Sequence, residues 1–569
     1  MDTKTAYDRR WIALGVLCMS LLVVSLDNTI LNVALPRLSA DLHATTSQLQ
    51  WIIDGYTLVF AGLLLTTGSL GDKFGRRSAL SLGLLIFVIG SIASAFAPSA
   101  EFLILTRSFM GVGGALIMPA TLSLLTNIFT DPTERAKAIG IWAGLSGVGV
   151  AIGPMLGGWL LEHFSWGSVF LVNVPVVAIA LPAGYFLLPN SKAENSPKLD
   201  PFGAVLSIVA LVSLVWAIIE APAKGWTSPG VLAALGVGAA TMAVFIWWQN
   251  TTDHPMLDIK FFKNPRFSAA NVAVTLTFFA MFGSMFMLTQ FMQYVLGFTP
   301  LEAGVRSVPL ALVMLVVAPQ STRLVRRVGT KLVVAGGLGT VAIGLAVAAT
   351  ATPELGYARV LPAQLLLGLG IALAMAPATE SIMGSLPREK AGVGSAMNDT
   401  TRQVGGALGV AIIGSVFSSQ YAPAMASSLG GLGLPAAGLG AAKDSIGGAF
   451  SVAAQAGGNP NTIDTPIGHQ IADAAREAFS HSMGRGLLVS AAIALVGALV
   501  ALVFLPAHAA PVAGAVDMDE DDAVEVRSTL GIGGTEAALA RQEAIDESHL
   551  EEHEHELASA TAGDRPPED

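Results

Sequence analysis

The stretch GVGGALIMPAT (111–121) returns later in the chain as GLGIALAMAPAT (368–379), with one residue inserted. Both copies are apolar and glycine-rich, and each stands inside a longer hydrophobic run. The residues that follow match too: Pro132, Glu134, Arg135 and Ala136 correspond to Pro387, Glu389, Lys390 and Ala391. Two matches at a common separation of about 255 residues mark an internal repeat. Outward from this pair, apolar runs of about 20 residues, enough to cross a hydrocarbon core of roughly 30 Å, recur along nearly the whole chain. They fall at 11–35, 48–70, 79–98, 101–126, 138–160, 168–188, 202–220, 230–249, 268–290, 302–320, 331–350, 359–384, 391–418 and 484–505. The repeat pairs the fourth run with the twelfth and the approach to the fifth with the approach to the thirteenth. Runs 1–6 and 9–14 therefore read as two related six-helix bundles, with runs 7 and 8 as an inserted pair. The expected fold is an all-α integral membrane protein with fourteen transmembrane helices. Its expected divisions are a stub at 1–10, a first bundle at 11–188, the inserted pair at 189–250, a second bundle at 251–505 and a tail at 506–569. The second bundle includes an external connection at 419–483, rich in Gly, Ala and Ser, for which two readings stand: a helix at 471–479 docked on the outer rim, or a mobile spacer.

Composition agrees. Hydrophobic residues make up 53% of the 569 and charged residues 13%, against roughly 25% charged in a soluble domain, so an ordinary soluble enzyme is excluded. The net charge of -10 is unevenly placed. Residues 516–569 carry 17 Asp and Glu against 3 Arg, leaving 28 Lys and Arg against 24 acids in the body. The tail has the composition of a disordered segment, and His549, His553 and His555 read as part of its charge run, not as a metal site. Cys18 is the only cysteine, so no intrachain disulfide can form. The segments assigned inside by an inside N-terminus hold 19 Lys and Arg, and the short outside loops hold three, Arg37, Lys224 and Arg359. Basic loops stay in the cytoplasm, so both termini are expected there.

Five stretches carry chemistry. Gly149, Gly153 and Gly157 recur every four residues in run 5 and line one face where another helix can approach closely. Pro154 bends that run, and Gly158 extends the small surface. Such a face suits two halves that rock. The loop GSLGDKFGRR (68–77) contains Gly68, Gly71 and Gly75 for a tight turn, with Asp72 among Arg76 and Arg77. We expect Asp72, with Arg135 as a partner, to form a charge latch that closes the inward face and breaks on opening. Within the membrane, where an ionisable group costs about 2.5 to 3.5 kcal/mol even on insertion scales, stand Asp27, Asp54 and Arg107. Their positions place all three within roughly 10 Å of the outer boundary at 1.5 Å per residue. Two carboxylates and one guanidinium at one depth can hold and release a proton. Gln364 takes the place of Arg107 in the second half, so this arrangement is one-sided. Asp54 is flanked by Trp51 and Tyr56, and an acid beside aromatic rings can attract a lipophilic cation. Phe282, Met285, Phe286, Gln290 and Gln293 give run 9 a re-packable surface of the kind promiscuous sites use. Asp399 and Arg402 share one face of run 13. No GxxxxGK[ST] phosphate loop occurs in the sequence, so ATP is not the expected energy source. No nucleophile-base or metal constellation is apparent.

Several of these stretches, in this order, resemble the fourteen-helix drug:proton antiporters of the major facilitator superfamily: LDNTILNVALP (26–36), GSLGDKFGRR (68–77), Arg107 with Gly111, Gly113 and Gly114, and GVGVAIGPMLGG (147–158). The sequence around Asp399 is similar as well. One departure is Gly167–Ser168, where the family commonly has a basic and an aromatic residue. The resemblance implies the major facilitator fold and a non-enzymatic bacterial inner-membrane antiporter without cofactor. It would be driven by the proton gradient and would export lipophilic, cationic drugs as a monomer, with no nucleic-acid partner. It also implies that Asp27 is a coupling carboxylate, that Arg107 tunes it, and that Asp54 is the extra acid of members handling cations. Export of a native metabolite, lipid or siderophore, or a sensor acting through the acidic tail, are the alternatives left open.

Overall fold

The computed structural model describes residues 9–192, 200–386, 391–456, 463 and 465–506. These described residues form one compact unit. The acidic tail from residue 507 with its histidines, the first eight residues, and Pro387, Glu389 and Lys390 of the repeat lie outside the described residues.

Among the described residues the structure is all helix, without a strand, and a long helix stands at each of the fourteen expected places. In chain order these begin with α1 (Arg10–Asp41), α2 (Thr46–Phe74), α3 (Arg76–Ala95), α4 (Ala100–Ile128) and α5 (Pro132–His163). A single turn at Ser168–Leu171 then leads into α6 (Asn173–Leu187). Next come α7 (Pro201–Lys224), α8 (Pro229–Thr251), α9 (Pro265–Gln290), α10 (Pro300–Val328), α11 (Thr330–Ala349), α12 (Tyr357–Met383) and α13 (Ala391–Leu429). Two short helices, α14 (Ala436–Asp444) and α15 (Ile446–Gln455), precede the last long one, α16 (Pro466–Phe504). Six of these helices start with proline behind a capping side chain: Asp131, Asp200, Ser228, Asn264, Thr299 and Thr465 each accept from the first turn. Proline at the first helical position loses no hydrogen bond, and the cap satisfies a free amide, so the sequence sets these boundaries locally. Among the described residues twelve helices are long and apolar enough to cross a membrane, and α2, bent within its length, makes a thirteenth. The remaining expected span, α5, is a helix of 32 residues.

Of the two readings of 419–483, the structure agrees with the packed helix: among the described residues α13 continues to Leu429, α14 and α15 follow, and 471–479 is part of α16, which starts at Pro466 and buries Ile471, Ala475 and Phe479. The Gly-Ala-Ser composition that suggested a spacer is what lets α15 pack closely, since a Cβ on Gly447 would meet Ser39 and Tyr294.

The repeat is visible in the packing. Gly83 of α3 and Gly113 of α4 sit backbone to backbone, as do Gly337 of α11 and Gly370 of α12. Gly111 lies on α2 at Tyr56 and Val59, and Gly368 lies on α10 at Leu310 and Val313. Gly405 and Gly409 of α13 rest on the backbone of α9, as Gly149 and Gly153 of α5 rest on α1. The turns from α2 to α3 and from α10 to α11 pivot on Gly75 (φ 115°) and Gly329 (φ 87°), a conformation only glycine adopts without strain. Corresponding residues are separated by 254 to 257 positions.

The two bundles meet chiefly at the end that carries the α13–α16 connection. There Gln293 and Tyr294 donate to the carbonyls of Val33 and Pro36 at 2.9 and 2.6 Å, and Leu301 N–H donates to Glu162 at 3.3 Å. Ser39 meets Ser445 at 3.3 Å, and Thr46 donates to the Asp444 carbonyl at 2.8 Å. α10 presses on α5, with Gly158 against Pro300 and Leu301 and Gly304 against Pro154. At the opposite end, which bears the basic loops, the hydrogen bond described between the first bundle and the segment entering the second is a weak one from Thr66 Oγ1 to Met256 Sδ at 3.9 Å.

Candidate functional site

Asp27 and Arg107 form an ion pair between α1 and α4, each about 1% exposed. Arg107 Nη1 binds Asp27 Oδ2, and Nε donates to the Ile52 carbonyl at 3.2 Å. Its guanidinium lies 4.5 Å from the Tyr56 ring centroid and 6.0 Å from that of Phe170. Tyr56 is held in turn by Gly111 and Gly114, where a side chain would strike its backbone or hydroxyl. Asn173 of α6 stands beside Asp27 and donates to Ser91 Oγ at 3.1 Å, and Ser91 donates to the Phe170 carbonyl at 2.7 Å. Four helices and the turn before α6 thus fix one guanidinium, while Asp27 Oδ1 has no hydrogen-bond partner among the described residues.

Asp54 does not join this pair. It is fully enclosed, and neither of its oxygens has a hydrogen-bond partner among the described residues. One turn before it, Gln50 donates to the carbonyls of Val410 and Ala411 at 3.0 Å, and one turn after it Leu58 packs with Ala407 and Ala411. Asp54 therefore lies on the face of α2 turned to α13, whereas Ile52 and Tyr56 serve Arg107. The expected cluster of three becomes a closed pair and a separate carboxylate. Helix phase is the reason: on a helix with 3.6 residues per turn, neighbouring positions at similar depth point to different partners. Gln50 Oε1 has no partner among the described residues either, which leaves three acceptor atoms there without described donors.

The residues expected in a cavity divide. Phe282 and Met285 are half-buried on one stripe with Phe278, which stacks on Phe282 at 6.1 Å. Arg402 lies 5.5 Å over Phe278, pairs with Asp399 at 3.5 Å and reaches Thr379 Oγ1 at 3.5 Å, so α9, α12 and α13 share one aromatic and ionic patch. Tyr56 and Phe286 are instead fully enclosed in the core, and Gln290 is buried and donates to the Phe286 carbonyl within its own helix. Trp51 packs between α7 and α13. Gln293 joins the bundles instead of lining a cavity, because it sits at the end where α9 meets α1.

The glycines of α5 also differ from expectation. Gly149, Gly153 and Gly157 bear on Ser25, Thr29 and Ile30 of α1 within the same bundle, and Thr29 Oγ1 donates to the Gly149 carbonyl at 3.2 Å. The contact with the other bundle is made by Pro154 and Gly158, against Gly304 and Leu301. In the loop, Asp72 pairs with Arg76 at 2.8 Å across the Gly75 turn, and Gly68 lies near Pro119. Arg135 does not reach Asp72: it donates to the carbonyls of Phe129 and Thr130 at 2.8 and 3.0 Å. Arg77 donates to the carbonyls of Tyr185 and Leu188. Gln50, Ser91, Asn173, Tyr294 and Gly304 do not stand out in the sequence. Gln50 was accessible, since it lies four residues before Asp54. The others depend on contacts between distant segments.

Comparison with known proteins agrees with this fold. The Major Facilitator Superfamily profile matches residues 17–410. The "Multidrug efflux pump LfrA" of Mycolicibacterium smegmatis is 37% identical over 88% of this chain and 97% of its own length. The "Tetracenomycin C resistance and export protein" of Streptomyces glaucescens is 34% identical over 87% and 91%. Salmonella typhimurium "Methyl viologen resistance protein SmvA" is 35% identical over 84% and 94%. Among solved structures, an inward-facing bacterial homolog of the human lysosomal transporter Spinster superposes with a TM-score of 0.59. It has 18% identity and covers 87% of this chain and 98% of that one.

Proposed function

The chain belongs to the Major Facilitator Superfamily, and from that premise we propose a proton-coupled antiporter that exports lipophilic, cationic drugs or dyes across the bacterial cytoplasmic membrane. Relatives named for multidrug efflux and for drug resistance support export. The basic loops and both termini face the cytoplasm, so the bundles meet at the outer side and the described state is closed to the outside.

The observation that carries the coupling is the inequality of two buried carboxylates. Asp27 is neutralised by Arg107, whereas Asp54 is enclosed with no hydrogen-bond donor among the described residues. A bare carboxylate in such a place is too costly to persist. It must bear a proton or face a cation, and these occupants exclude each other. Asp54 is therefore the exchange site, loaded with a proton from outside and yielding it when a cationic substrate enters from inside. Arg107, held by Asp27, Ile52 and Tyr56, keeps the Asp27 carboxylate paired within the same bundle. The patch of Asp399, Arg402, Phe278 and Phe282 supplies an adaptable wall on the other bundle. The gradient suffices: one pH unit gives about 1.36 kcal/mol per proton and 100 mV about 2.3 kcal/mol per charge. A monovalent cation exchanged one for one with a proton moves no net charge, so the pH term alone drives it, about tenfold per unit, and the potential adds its term only where a second proton is carried.

Dye transport in everted vesicles tests this reading. Accumulation should require a proton gradient and fall in Asp27→Asn and Asp54→Asn at equal membrane content. Transport that survives both an uncoupler and the two substitutions would refute it.

A further inference from the structure

On the outer surface of the first bundle, α3 and α6 enclose a crevice of about 480 Å³ walled by Leu82, Leu85, Leu181, Pro182, Tyr185 and Phe186. Leu82 is 48% exposed, Tyr185 60% and Phe186 70%, so the crevice opens away from the protein, toward the bilayer. Water cannot fill it there, and hydrocarbon must. Its basic-loop end is not apolar. Arg77 sits there, its guanidinium 5.0 Å over the Tyr185 ring and its Nη1 donating to the Tyr185 and Leu188 carbonyls at 3.1 and 3.3 Å. Those bonds fix one guanidinium nitrogen and leave the other edge of the fork unbonded among the described residues. The neighbouring carboxylate, Asp72, is already paired with Arg76. Lys73 is exposed in the same loop, whereas the first amide of α3, Arg76 N–H, is already taken by the Ser191 carbonyl at 3.0 Å. The crevice thus ends in positive charge with a free guanidinium edge, the feature that binds a phosphate.

We propose that this crevice is a binding site for an anionic phospholipid, with one acyl chain along α3 and α6 and the phosphate on Arg77. The occupant follows from its parts: the apolar channel needs a chain that is continuous with the bilayer, and the charge at its end needs an anion at headgroup depth. A bound lipid would brace the turn that carries Asp72 and Arg76. The site does not depend on the substrate or on proton coupling.

The test uses the full-length protein, purified and delipidated, with phosphatidylglycerol or phosphatidylcholine of identical chains added in nanodiscs or detergent. Native mass spectrometry and thermal unfolding read the result. Wild type should retain phosphatidylglycerol in preference to phosphatidylcholine by roughly fivefold, the effect of one basic residue at the surface. Arg77→Gln should abolish the preference. Leu82→Trp, at an exposed position outside the core, should reduce retention of both lipids by filling the crevice. A preference unchanged in Arg77→Gln would overturn the proposal. So would stabilisation by inorganic phosphate equal to that by phosphatidylglycerol, which would show a plain anion site.

Discussion

Replacing Gly304 by alanine should open the outer side of the protein. Gly304 of α10 meets α5 where the two bundles join, and an added Cβ would run into the Pro154 carbonyl oxygen. It would also come within 2.7 Å of the Pro154 carbonyl carbon and 3.2 Å of Met155 N. These are backbone atoms, so no rotamer relieves the clash, and α10 must move off α5. Overpacking of this kind costs about 1 to 3 kcal/mol. The cost falls on the closed state alone, because separated bundles no longer make the contact. Such a bias shifts a two-state population by roughly 5- to 150-fold. The reporter is Ser39→Cys, at a position 2% exposed in the closed state, in a Cys18→Ser background. Its labelling by a membrane-impermeant maleimide from outside should accelerate within that range. Gly236→Ala is the control, since a Cβ there meets nothing within 4 Å. Unchanged labelling in Gly304→Ala at normal expression, or equal acceleration by Gly236→Ala, would refute the reasoning.

Ser39→Cys with Ser445→Cys, whose hydroxyls now stand 3.3 Å apart, should cross-link on mild oxidation and stop transport, and reductant should restore it. Asp72→Asn should slow turnover without changing thermal stability much, because its pair with Arg76 is partly exposed and such pairs contribute about 1 kcal/mol or less; unchanged turnover would remove the latch from the account. Gly83→Ala and Gly337→Ala, which crowd equivalent backbone contacts in the two halves, should each destabilise by about 1 to 3 kcal/mol, as read from unfolding in detergent; a large effect in one alone would speak against equivalent packing. Removal of 507–569 should leave dye efflux intact, and its loss would favour a signalling role for the tail.

Much of the fold was legible because membrane spans are written in long apolar runs and their starts in local chemistry, such as Asp131–Pro132 and Thr299–Pro300. The repeat was legible because close helix contacts demand glycine at fixed places, and Gly113 and Gly370 obey the same demand. The pairing of Asp27 with Arg107 followed from depth, since two buried opposite charges at one level are driven together. Depth carries no azimuth, however, and Asp54 was assigned to the wrong neighbours on that account. The partner of Gly149, Gly153 and Gly157 was equally hidden: a smooth face states that a helix comes close, and α1 and α10 satisfy that statement alike. The α14–α15 hairpin escaped because small residues read the same in a spacer and in a tightly packed turn.

The exchange of a proton for a cation at Asp54 can be measured without transport. Adding the lipophilic dye cation ethidium to purified protein in weakly buffered detergent solution near neutral pH should release protons in proportion to the dye bound. Asp54→Asn should bind dye weakly and release none. Dye binding without proton release in wild type, or release that persists in Asp54→Asn, would contradict the account.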